Sequence, residues 1–354
     1  MCGIVGYLSN DKKNTQLLIQ NMTQTLVHRG PDKENYWNDE FISFGHTRLS
    51  IIDLSENGNQ PMVSYTGRLI IVFNGEIYNS KELKKKLDHE CKNIKWKGHS
   101  DTEIFLNSID YFGIEKTLSL SRGMFAFGLW DKKEKKLFIA RDRIGEKPLY
   151  YYKTGNDFIF ASELKAIKEL KKHEFVIDQN AVSMFMQYGY IPAPCSIYKN
   201  VFKLEAGKIL SISLNSDLPI IKTWWDINYQ SKTNLTNNKS NDENQIIEEL
   251  ELLLFDSVKE QMLADVPIGS MLSGGMDSSL ITAIMQKSSS DPINSFTIGF
   301  EENDFNESDY AKSISKHLCT SHNELFVTSK QAQEVIPKIP EIYDEPFADS
   351  SQIP

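Results

Sequence analysis

Residues 2–8, CGIVGYL, are the stretch on which the fold assignment rests. This apolar run, with glycines that let other backbone approach closely, predicts a buried strand. It is too short for the core of a signal peptide, and the charged residues 11–13 follow almost at once. Cys2 stands at the mouth of the strand, directly after Met1. If Met1 is removed, Cys2 carries a thiol and a free α-amine, whose ordinary pKa of about 7.7–8.0 suits a general base.

A single cysteine is most often a small buried apolar residue, so its position alone is weak evidence for catalysis. Nucleophiles activated by their own N-terminal amine are nevertheless a known arrangement. Three later segments strengthen that interpretation because they concentrate polar side chains in short loops. They are residues 28–32 (HRGPD), 45–51 (GHTRLSI) and 73–79 (FNGEIYN).

Each of these features also has a purely structural interpretation when it is taken alone. Arg48 could form a surface ion pair, and Asn74-Gly75 is typical of a type I′ hairpin turn. Ser100-Asp101 could simply cap a helix, since the sequence SDTE at 100–103 fits a capping box. These alternatives stay open until the segments are considered together.

The first 210 residues are rich in short apolar runs joined by turn sequences, which indicates strands and hairpins. A helix is predicted after Asn79 and another from Ser100. This pattern predicts an α+β domain with antiparallel sheets. Besides 3–8, the predicted strands are 43–52, 69–74, 124–130, 137–141, 149–153 and 158–162.

The second half of the chain has a different organisation. Residues 228–244 are polar and lack apolar periodicity, which predicts a linker. Alternating helices and strands follow, and they favour a parallel α/β sheet. The predicted order is helix 246–262, strand 268–272, helix 278–286, strand 293–300, helix 309–317 and strand 324–327.

Residues 272–279, LSGGMDSS, connect a predicted strand to a predicted helix. Backbone N–H groups of such a loop, together with the helix N-terminus, form an anion site. The loop lacks the lysine of the GxxxxGK[ST] motif. The structural alternative is a serine-glycine turn with a helix cap.

Composition excludes several classes of protein. A length of 354 residues allows two domains. The net charge of −9 argues against a nucleic-acid binder, and the absence of a long apolar run argues against a membrane span. Four widely spaced cysteines and seven histidines without ligand spacing argue against a zinc site or disulfide framework. The wide spacing of the cysteines indicates a reducing cytoplasm.

Taken together, the segments at 2–6, 28–32, 45–51 and 73–79 resemble the glutaminase domain of class II amidotransferases. With the SGGMDSS loop, essentially the whole chain resembles the glutamine-hydrolysing asparagine synthetases. The resemblance implies an α+β N-terminal nucleophile hydrolase domain at 1–210, with antiparallel sheets sandwiched by helices. It also implies a connector at 211–243 and an incomplete α/β ATP pyrophosphatase domain with a parallel sheet at 244–354.

The resemblance also implies roles for individual residues. Cys2 would attack the glutamine side-chain amide, and the Asn74 side chain with the Gly75 N–H would hold the oxyanion. The substrate carboxylate and ammonium would be bound by the remaining members of the site: Arg48 for the carboxylate, Glu76 and Asp101 for the ammonium, and the main chain at Leu49 and Ile51 for further hydrogen bonds.

In the second domain the loop resembles the SGGxDSS pyrophosphate loop of enzymes that split ATP into AMP and pyrophosphate. Asp277 would coordinate Mg²⁺ on the pyrophosphate, and Leu272 and Ile298 would frame the adenosine. The phosphate oxygens would be held by Ser273, Gly274, Gly275 and Ser278.

Two further segments match the family less decisively. Residues 140–150, ARDRIGEKPLY, alternate in charge, and we favour a structural ion-pair cluster over direct catalysis. Residues 343–351, YDEPFADSS, receive no role. The sequence ends at Pro354, directly after that segment, where family members continue, so we expect a C-terminally truncated fragment.

The implied reaction begins with glutamine hydrolysis and passes ammonia internally to the second domain. There ATP activates aspartate as its β-adenylate, and ammonia displaces AMP to give asparagine. One alternative keeps both half-reactions but amidates another carboxylate, such as a sugar or secondary metabolite; another is a non-catalytic regulatory relic. We expect a cytoplasmic protein with glutamine, aspartate and ATP as substrates, without nucleic acid or membrane, and leave a homodimer open.

Overall fold

The computed structural model describes residues 1–9, 15–214, 216, 218–228, 242–300, 306–349 and 352–353. The chain divides into two compact units. Unit 1 comprises Met1–Leu235 and the short segment Asp344–Phe347. Unit 2 comprises Thr236–Tyr343 and Ala348–Pro354.

Antiparallel strands form the centre of unit 1. They are β1 (Gly3–Ser9), β2 (Lys33–Asn38), β3 (Ile42–Arg48), β4 (Met62–Val63), β5 (Leu69–Ile77), β6 (Gly123–Asp131), β7 (Lys136–Arg141), β8 (Tyr150–Thr154), β9 (Asp157–Ala161), β10 (Val201–Lys203), β11 (Lys208–Ser213) and β12 (Ile220–Thr223). Within the described residues they pair as two six-stranded sheets. Sheet A has the order β10-β8-β9-β1-β3-β2, and sheet B has the order β12-β11-β7-β6-β5-β4.

Helices cover the outer faces of both sheets. They are α1 (Gln16–Gln24), α2 (Ser80–Glu90), α3 (Asp101–Phe112), α4 (Ile114–Leu120), α5 (Leu164–Lys168) and α6 (Gln179–Tyr188). One core cluster joins the facing sides of the two sheets. A second joins sheet B to α2–α4, and a third joins sheet A to α1, α5 and α6. The result is a four-layer sandwich, which confirms the α+β prediction of antiparallel sheets between helices.

Strand β1 shows why the N-terminal run is apolar on both sides. Ile4 and Leu8 pack in the core between the sheets, whereas Val5 and Tyr7 pack against the helices. A strand covered on both faces needs continuous apolar character rather than alternation. Gly6 is required because a Cβ there would lie 2.1 Å from the Phe160 ring.

Helix α3 begins with only half of the predicted capping box. Ser100 Oγ accepts the N–H of Glu103 at 3.2 Å, as expected for the N-cap. The Glu103 carboxylate turns away from the cap and accepts the N–H groups of Lys97 at 2.8 Å and Gly98 at 2.9 Å. It therefore fixes the loop that leads to Asp101 instead of closing the box.

Unit 2 is an alternation of helices and strands. Its elements are α7 (Glu243–Gln261), β13 (Gly269–Met271), α8 (Met276–Lys287), β14 (Asn294–Phe300), α9 (Ser308–Leu318), β15 (Ser321–Val327), α10 (Ser329–Val335) and α11 (Ile339–Ile342). The strands pair in parallel in the order β13-β14-β15, a three-stranded sheet in the part of the chain described. This confirms the α/β prediction for the second half.

The connector predicted at 211–243 overlaps strands of unit 1. Strand β12 pairs with β11, so sheet B continues to Thr223. Most of the polar stretch 228–244, at 229–241, lies outside the described residues. The proposed domain boundaries therefore stay predictions. Among the described helices, none has the length and apolar character needed to cross a membrane.

Candidate active site

One cavity of about 190 Å³ in unit 1 contains the whole predicted glutaminase set. All eight residues predicted for that site line it: Cys2, Arg48, Leu49, Ile51, Asn74, Gly75, Glu76 and Asp101. The cavity is also lined by Met1, Ile52, Gly58, Gln60, Phe73, Ser100, Thr102, Met124 and Lys147. The eight predicted residues come from four places: the position directly before β1, the end of β3 and the loop after it, the last part of β5, and the first residue of α3.

The Cys2 thiol lies against the backbone of Leu49. The Leu49 N–H donates to Sγ at 3.5 Å, and Sγ lies 3.7 Å from the Leu49 carbonyl oxygen. Burial raises the pKa of this thiol, although the Leu49 N–H favours the thiolate and opposes the shift. The thiol is therefore protonated at neutral pH, and a base must accept its proton before it can attack.

Arg29 fixes the backbone beside the thiol. Its Nε donates to the carbonyl oxygen of Cys2 at 3.0 Å, and its Nη1 pairs with the Glu163 carboxylate at 2.6 Å. On the next residue, the Gly3 N–H donates to Thr47 Oγ1 at 3.1 Å. Sequence reasoning included Arg29 in a polar loop but gave it no role, because a lone arginine looks the same as a surface ion pair.

Asn74 and Gly75 lie inside strand β5, so the interpretation as a hairpin turn is wrong. Asn74 is 1% exposed, and its Nδ2 has no hydrogen-bond partner among the described residues. An unsatisfied buried donor costs about 1–3 kcal/mol, which marks it as a group awaiting an acceptor. At Gly75 a Cβ would lie 2.2 Å from the Met124 carbonyl oxygen, so only glycine fits.

Arg48 is buried rather than part of a surface ion pair. Its Nη1 donates to the Ser55 carbonyl at 2.8 Å and to Asn59 Oδ1 at 3.1 Å, and its Nη2 donates to the Asp53 carbonyl. These acceptors are all neutral, and no carboxylate pairs with it in the described residues. Three of its five donors are thus occupied, which leaves a fixed positive charge with free donors at the cavity.

Two acidic side chains share the cavity. Asp101 accepts the N–H of Ile77 at 2.8 Å and that of Thr102 at 2.9 Å. Burial raises the pKa of Asp101 to about 6, and the nearby charge of Glu76 adds to the shift. Burial also raises the pKa of Glu76, opposed by the positive charge of Lys147. A cation placed between these carboxylates would lower the free-energy cost of ionising both. With the positive charge of Arg48 at the same cavity, the site suits a zwitterion with separate carboxylate and ammonium ends.

The 140–150 segment is not an ion-pair cluster. Arg141 donates to three backbone carbonyls, those of Gly145, Lys147 and Leu204, at 2.6, 2.7 and 2.8 Å. The Asp142 carboxylate accepts backbone N–H groups, including those of Gly145 at 2.6 Å and Lys147 at 3.0 Å. These charged side chains supply hydrogen-bond partners to the backbone N–H and C=O groups of a loop that would otherwise lack them. Sequence reasoning missed that this loop brings Lys147 to the cavity.

In unit 2 the SGGMDSS loop leads from β13 into helix α8. Gly274 has a φ of +87°, which is favourable only for glycine, and a Cβ there would lie 2.7 Å from Tyr310 Cβ. Ser273 Oγ and Ser278 Oγ lie 3.1 Å apart across the turn. Asp277 is exposed in the first turn of α8 and makes no hydrogen bond or ion pair with any described residue.

The two residues predicted to frame an adenosine differ in exposure. Ile298 is partly exposed on β14. Leu272 is 1% exposed, and its N–H donates to the Phe296 carbonyl at 2.8 Å. The side chain of Leu272 therefore belongs to the interior of unit 2.

Known families and proteins resemble both parts of the chain. The glutamine amidotransferase domain family matches residues 1–225, and the asparagine synthase family matches residues 249–354. The "Putative asparagine synthetase (glutamine-hydrolyzing) 2" of Methanocaldococcus jannaschii is 38% identical over 100% of this chain and 70% of its own length. Asparagine synthetase (glutamine-hydrolyzing) 1 of Bacillus subtilis is 36% identical over 100% of this chain and 54% of its own length.

A solved structure is also similar, at a greater distance. It is the glutamine phosphoribosylpyrophosphate amidotransferase from B. subtilis complexed with ADP and GMP. It aligns with a TM-score of 0.47 and 15% identity, covering 91% of this chain and 65% of that chain.

Proposed function

The chain belongs to the family of glutamine-hydrolysing asparagine synthetases, and from that membership we propose that unit 1 hydrolyses glutamine at Cys2. The chain spans 70% of one curated relative and about half of another, so the complete synthetase reaction is proposed separately below. The observation that carries the proposal is the meeting of three groups in one cavity. These are the Cys2 thiol, the Asn74 Nδ2, which has no hydrogen-bond partner in the described chain, and the buried Arg48 guanidinium.

Catalysis begins with a proton transfer. Removal of Met1 would free the Cys2 α-amine, which takes the thiol proton because the buried thiol is not ionised at neutral pH. The thiolate then attacks the side-chain amide carbon of glutamine. Asn74 Nδ2 and the Gly75 N–H donate to the oxygen of the tetrahedral intermediate, where charge develops.

Collapse of the intermediate breaks the carbon–nitrogen bond. The protonated α-amine returns its proton to the leaving nitrogen, so ammonia departs and a γ-glutamyl thioester on Cys2 remains. Water, deprotonated by the same amine, attacks the thioester carbon and releases glutamate with regeneration of the thiol. Each proton taken by the amine is therefore returned within one cycle.

The charged groups of the cavity account for recognition of a free amino acid. Arg48 has unused donors in a planar fork that matches a carboxylate. Glu76 and Asp101 supply negative charge for the α-ammonium, and an ammonium between them lowers the energetic cost of ionising both. Leu49 and Ile51 border the cavity and offer backbone groups. Glutamine carries both charges and the amide, so we assign it as the substrate.

For unit 2 we propose binding of ATP through the loop at 272–279. Backbone N–H groups at the start of α8 and the hydroxyls of Ser273 and Ser278 face the same turn and suit phosphate oxygens. The Asp277 carboxylate, which is exposed and unpaired in the described chain, fits Mg²⁺, a cation that prefers oxygen ligands. Bound Mg²⁺ would neutralise charge on the pyrophosphate. Ile298 is the exposed apolar residue available to an adenosine; Leu272 contributes only as part of the underlying core.

The whole reaction that we propose is the glutamine-dependent synthesis of asparagine. ATP converts aspartate to its β-adenylate, ammonia from glutamine displaces AMP, and pyrophosphate is the other product. Four free cysteines support placement of the protein in the reducing cytoplasm.

The glutaminase proposal is tested by assaying glutamate and ammonia release by the chain after Met1 removal has been verified by mass spectrometry. Wild type and Cys319→Ala should turn over glutamine, because Cys319 is an exposed cysteine of unit 2. Cys2→Ala should lose turnover. Equal activity in Cys2→Ala and Cys319→Ala would refute Cys2 as the nucleophile.

The ATP proposal needs a separate measurement on the intact gene product. Pyrophosphate–ATP exchange should depend on aspartate, and Asp277→Asn should abolish it without affecting glutamine hydrolysis. Exchange that responds to another carboxylate but not to aspartate would overturn the assignment of aspartate. Exchange that persists in Asp277→Asn would overturn the role of that residue.

A further inference from the structure

Lys147 is held in a fixed position by its own backbone. Its N–H donates to the Asp142 carboxylate at 3.0 Å, and its carbonyl accepts Arg141 Nε at 2.7 Å. The neighbouring Gly145 is fixed by the same two side chains. A residue whose N–H and C=O are both bound by buried charged groups has little freedom to relocate.

The side chain of Lys147 is buried, with 6% of the residue exposed, and it lines the same cavity as Cys2. Across the described chain its ammonium forms neither a hydrogen bond nor an ion pair within 4.0 Å. Burial of an unpaired charge costs free energy, so this lysine does not serve stability. The cavity therefore contains a positive charge that no group of the described residues neutralises by contact.

The charges around Lys147 fall into two groups. Glu76, Glu146 and Asp142 favour its ammonium form, whereas burial and Arg29 oppose it and lower its pKa. The charge of Lys147 also acts on the N-terminal amine. Burial lowers the pKa of that amine at Met1, and the charges of Arg29 and Lys147 add to the effect, opposed by Cys2 and Glu76.

Of the two cations that act on the amine, Arg29 is already paired with the Glu163 carboxylate at 2.6 Å. Lys147 forms no ion pair within 4.0 Å in the described residues, although Glu76, Glu146 and Asp142 act on its ammonium from farther away. Removal of Met1 transfers the free amine to Cys2, about 3.8 Å along the chain. Cys2 lines the same cavity as Lys147, so the new amine stays at that site.

We propose that Lys147 is a positioning residue of the glutaminase site, a fixed positive charge that keeps the α-amine of processed Cys2 in its neutral, proton-accepting form. The inference rests on the proposed role of Cys2. An ordinary α-amine, with a pKa of about 7.7–8.0, is mostly protonated at pH 7 and is then unable to accept the thiol proton. A neighbouring cation repels the ammonium form and so increases the fraction of active base.

The test is the pH dependence of kcat/KM for glutamine in three variants of the chain. Lys147→Met removes the charge at nearly constant volume, and Lys147→Arg keeps it. Lys133→Met removes the same charge from an exposed turn. Lys147→Met should shift the acid limb of the profile to higher pH by about one unit, because the amine is protonated more readily without the neighbouring positive charge. In Lys147→Arg the acid limb should lie near its wild-type position, because the charge is kept. In Lys133→Met the acid limb should not move.

An unmoved acid limb in a folded Lys147→Met protein, or a change confined to KM, would overturn the inference while leaving glutamine hydrolysis at Cys2 intact. A second measurement does not depend on turnover. The pH dependence of the rate at which cyanate modifies the α-amine of the processed protein, followed by mass spectrometry of the N-terminal peptide, gives the amine pKa in wild type and in Lys147→Met. The amine pKa should be higher in Lys147→Met than in wild type. Equal values in the two proteins contradict the role of Lys147, whereas absence of glutamine turnover in the wild type contradicts the proposed function.

Discussion

Replacement of Asp101 by asparagine should stabilise the fold while weakening glutamine binding. The Asp101 carboxyl has a pKa of about 6 in the folded chain, against an ordinary value of 3.8. The folded state therefore holds the proton more tightly than the unfolded state does. Ionisation of Asp101 destabilises the native chain as pH rises from about 4 to 6, and the amide is free of that penalty.

The size of the effect follows from the pKa difference. The two values differ by about 2 units (6 minus 3.8), and at 1.36 kcal/mol per unit this is about 3 kcal/mol above pH 6. The carboxylate accepts N–H groups from Ile77 and Thr102, and an amide has only one oxygen to accept them. Losing one such bond offsets about 1 kcal/mol. The net gain of about 2 kcal/mol corresponds to a Tm increase of about 4–8 °C.

Thermal unfolding of wild type, Asp101→Asn and Asp39→Asn provides the assay. Asp39 is exposed, so its variant removes an equal charge without relieving burial. The Tm gain of Asp101→Asn should be largest at pH 7–8 and should fall to less than half at pH 5, where the wild-type carboxyl is largely protonated. In glutamine hydrolysis the same variant should raise KM by about 30-fold or more, because it removes a buried carboxylate that we propose to bind the substrate ammonium.

Two results would refute this reasoning. If Asp101→Asn lowers the Tm at pH 7.5, the carboxylate stabilises the fold and is not held at an energetic cost. If the Tm difference between variant and wild type is the same at pH 5 and pH 8, the pKa of Asp101 is not raised.

Two further substitutions test the other ends of the substrate. Asn74→Ala should lower kcat by about 10²–10³-fold with little change in Tm, since its Nδ2 has no partner to lose among the described residues; unfolding together with loss of activity would instead indicate a structural role. Arg48→Lys should raise KM at least tenfold with a smaller effect on kcat, because an ammonium lacks the planar fork that binds a carboxylate. A steady-state assay in which kcat falls and KM is unchanged would show that Arg48 does not bind the substrate carboxylate.

The sequence was sufficient for features that are local or carried by a motif. Strand β1 and helix α3 were predicted because an apolar run and an N-cap residue act within a few positions. The eight glutaminase residues were predicted as a set from the family motif, and the fold brings all of them to one cavity.

Other features depend on contacts between distant parts of the chain. Strand β1 pairs with β3 and with β9, whose residues are about 150 positions away, and no local pattern specifies that partner. Arg29 and Lys147 each look like ordinary surface charges in the sequence. In the folded chain both are buried. Arg29 donates to the Cys2 carbonyl and Lys147 lines the cavity, and these placements depend on contacts that no local pattern specifies.

Covalent labelling with a diazoketone analogue of glutamine tests most directly the claim that Cys2 is the nucleophile of a glutamine site. The reagent carries the substrate's carboxylate and ammonium but replaces the amide with an alkylating group, so labelling requires both recognition and a reactive thiol. We expect one label per chain on Cys2, prevented by excess glutamine, with Cys91, Cys195 and Cys319 unmodified as internal controls. An unlabelled Cys2, or labelling of Cys319 that glutamine does not prevent, would contradict the account.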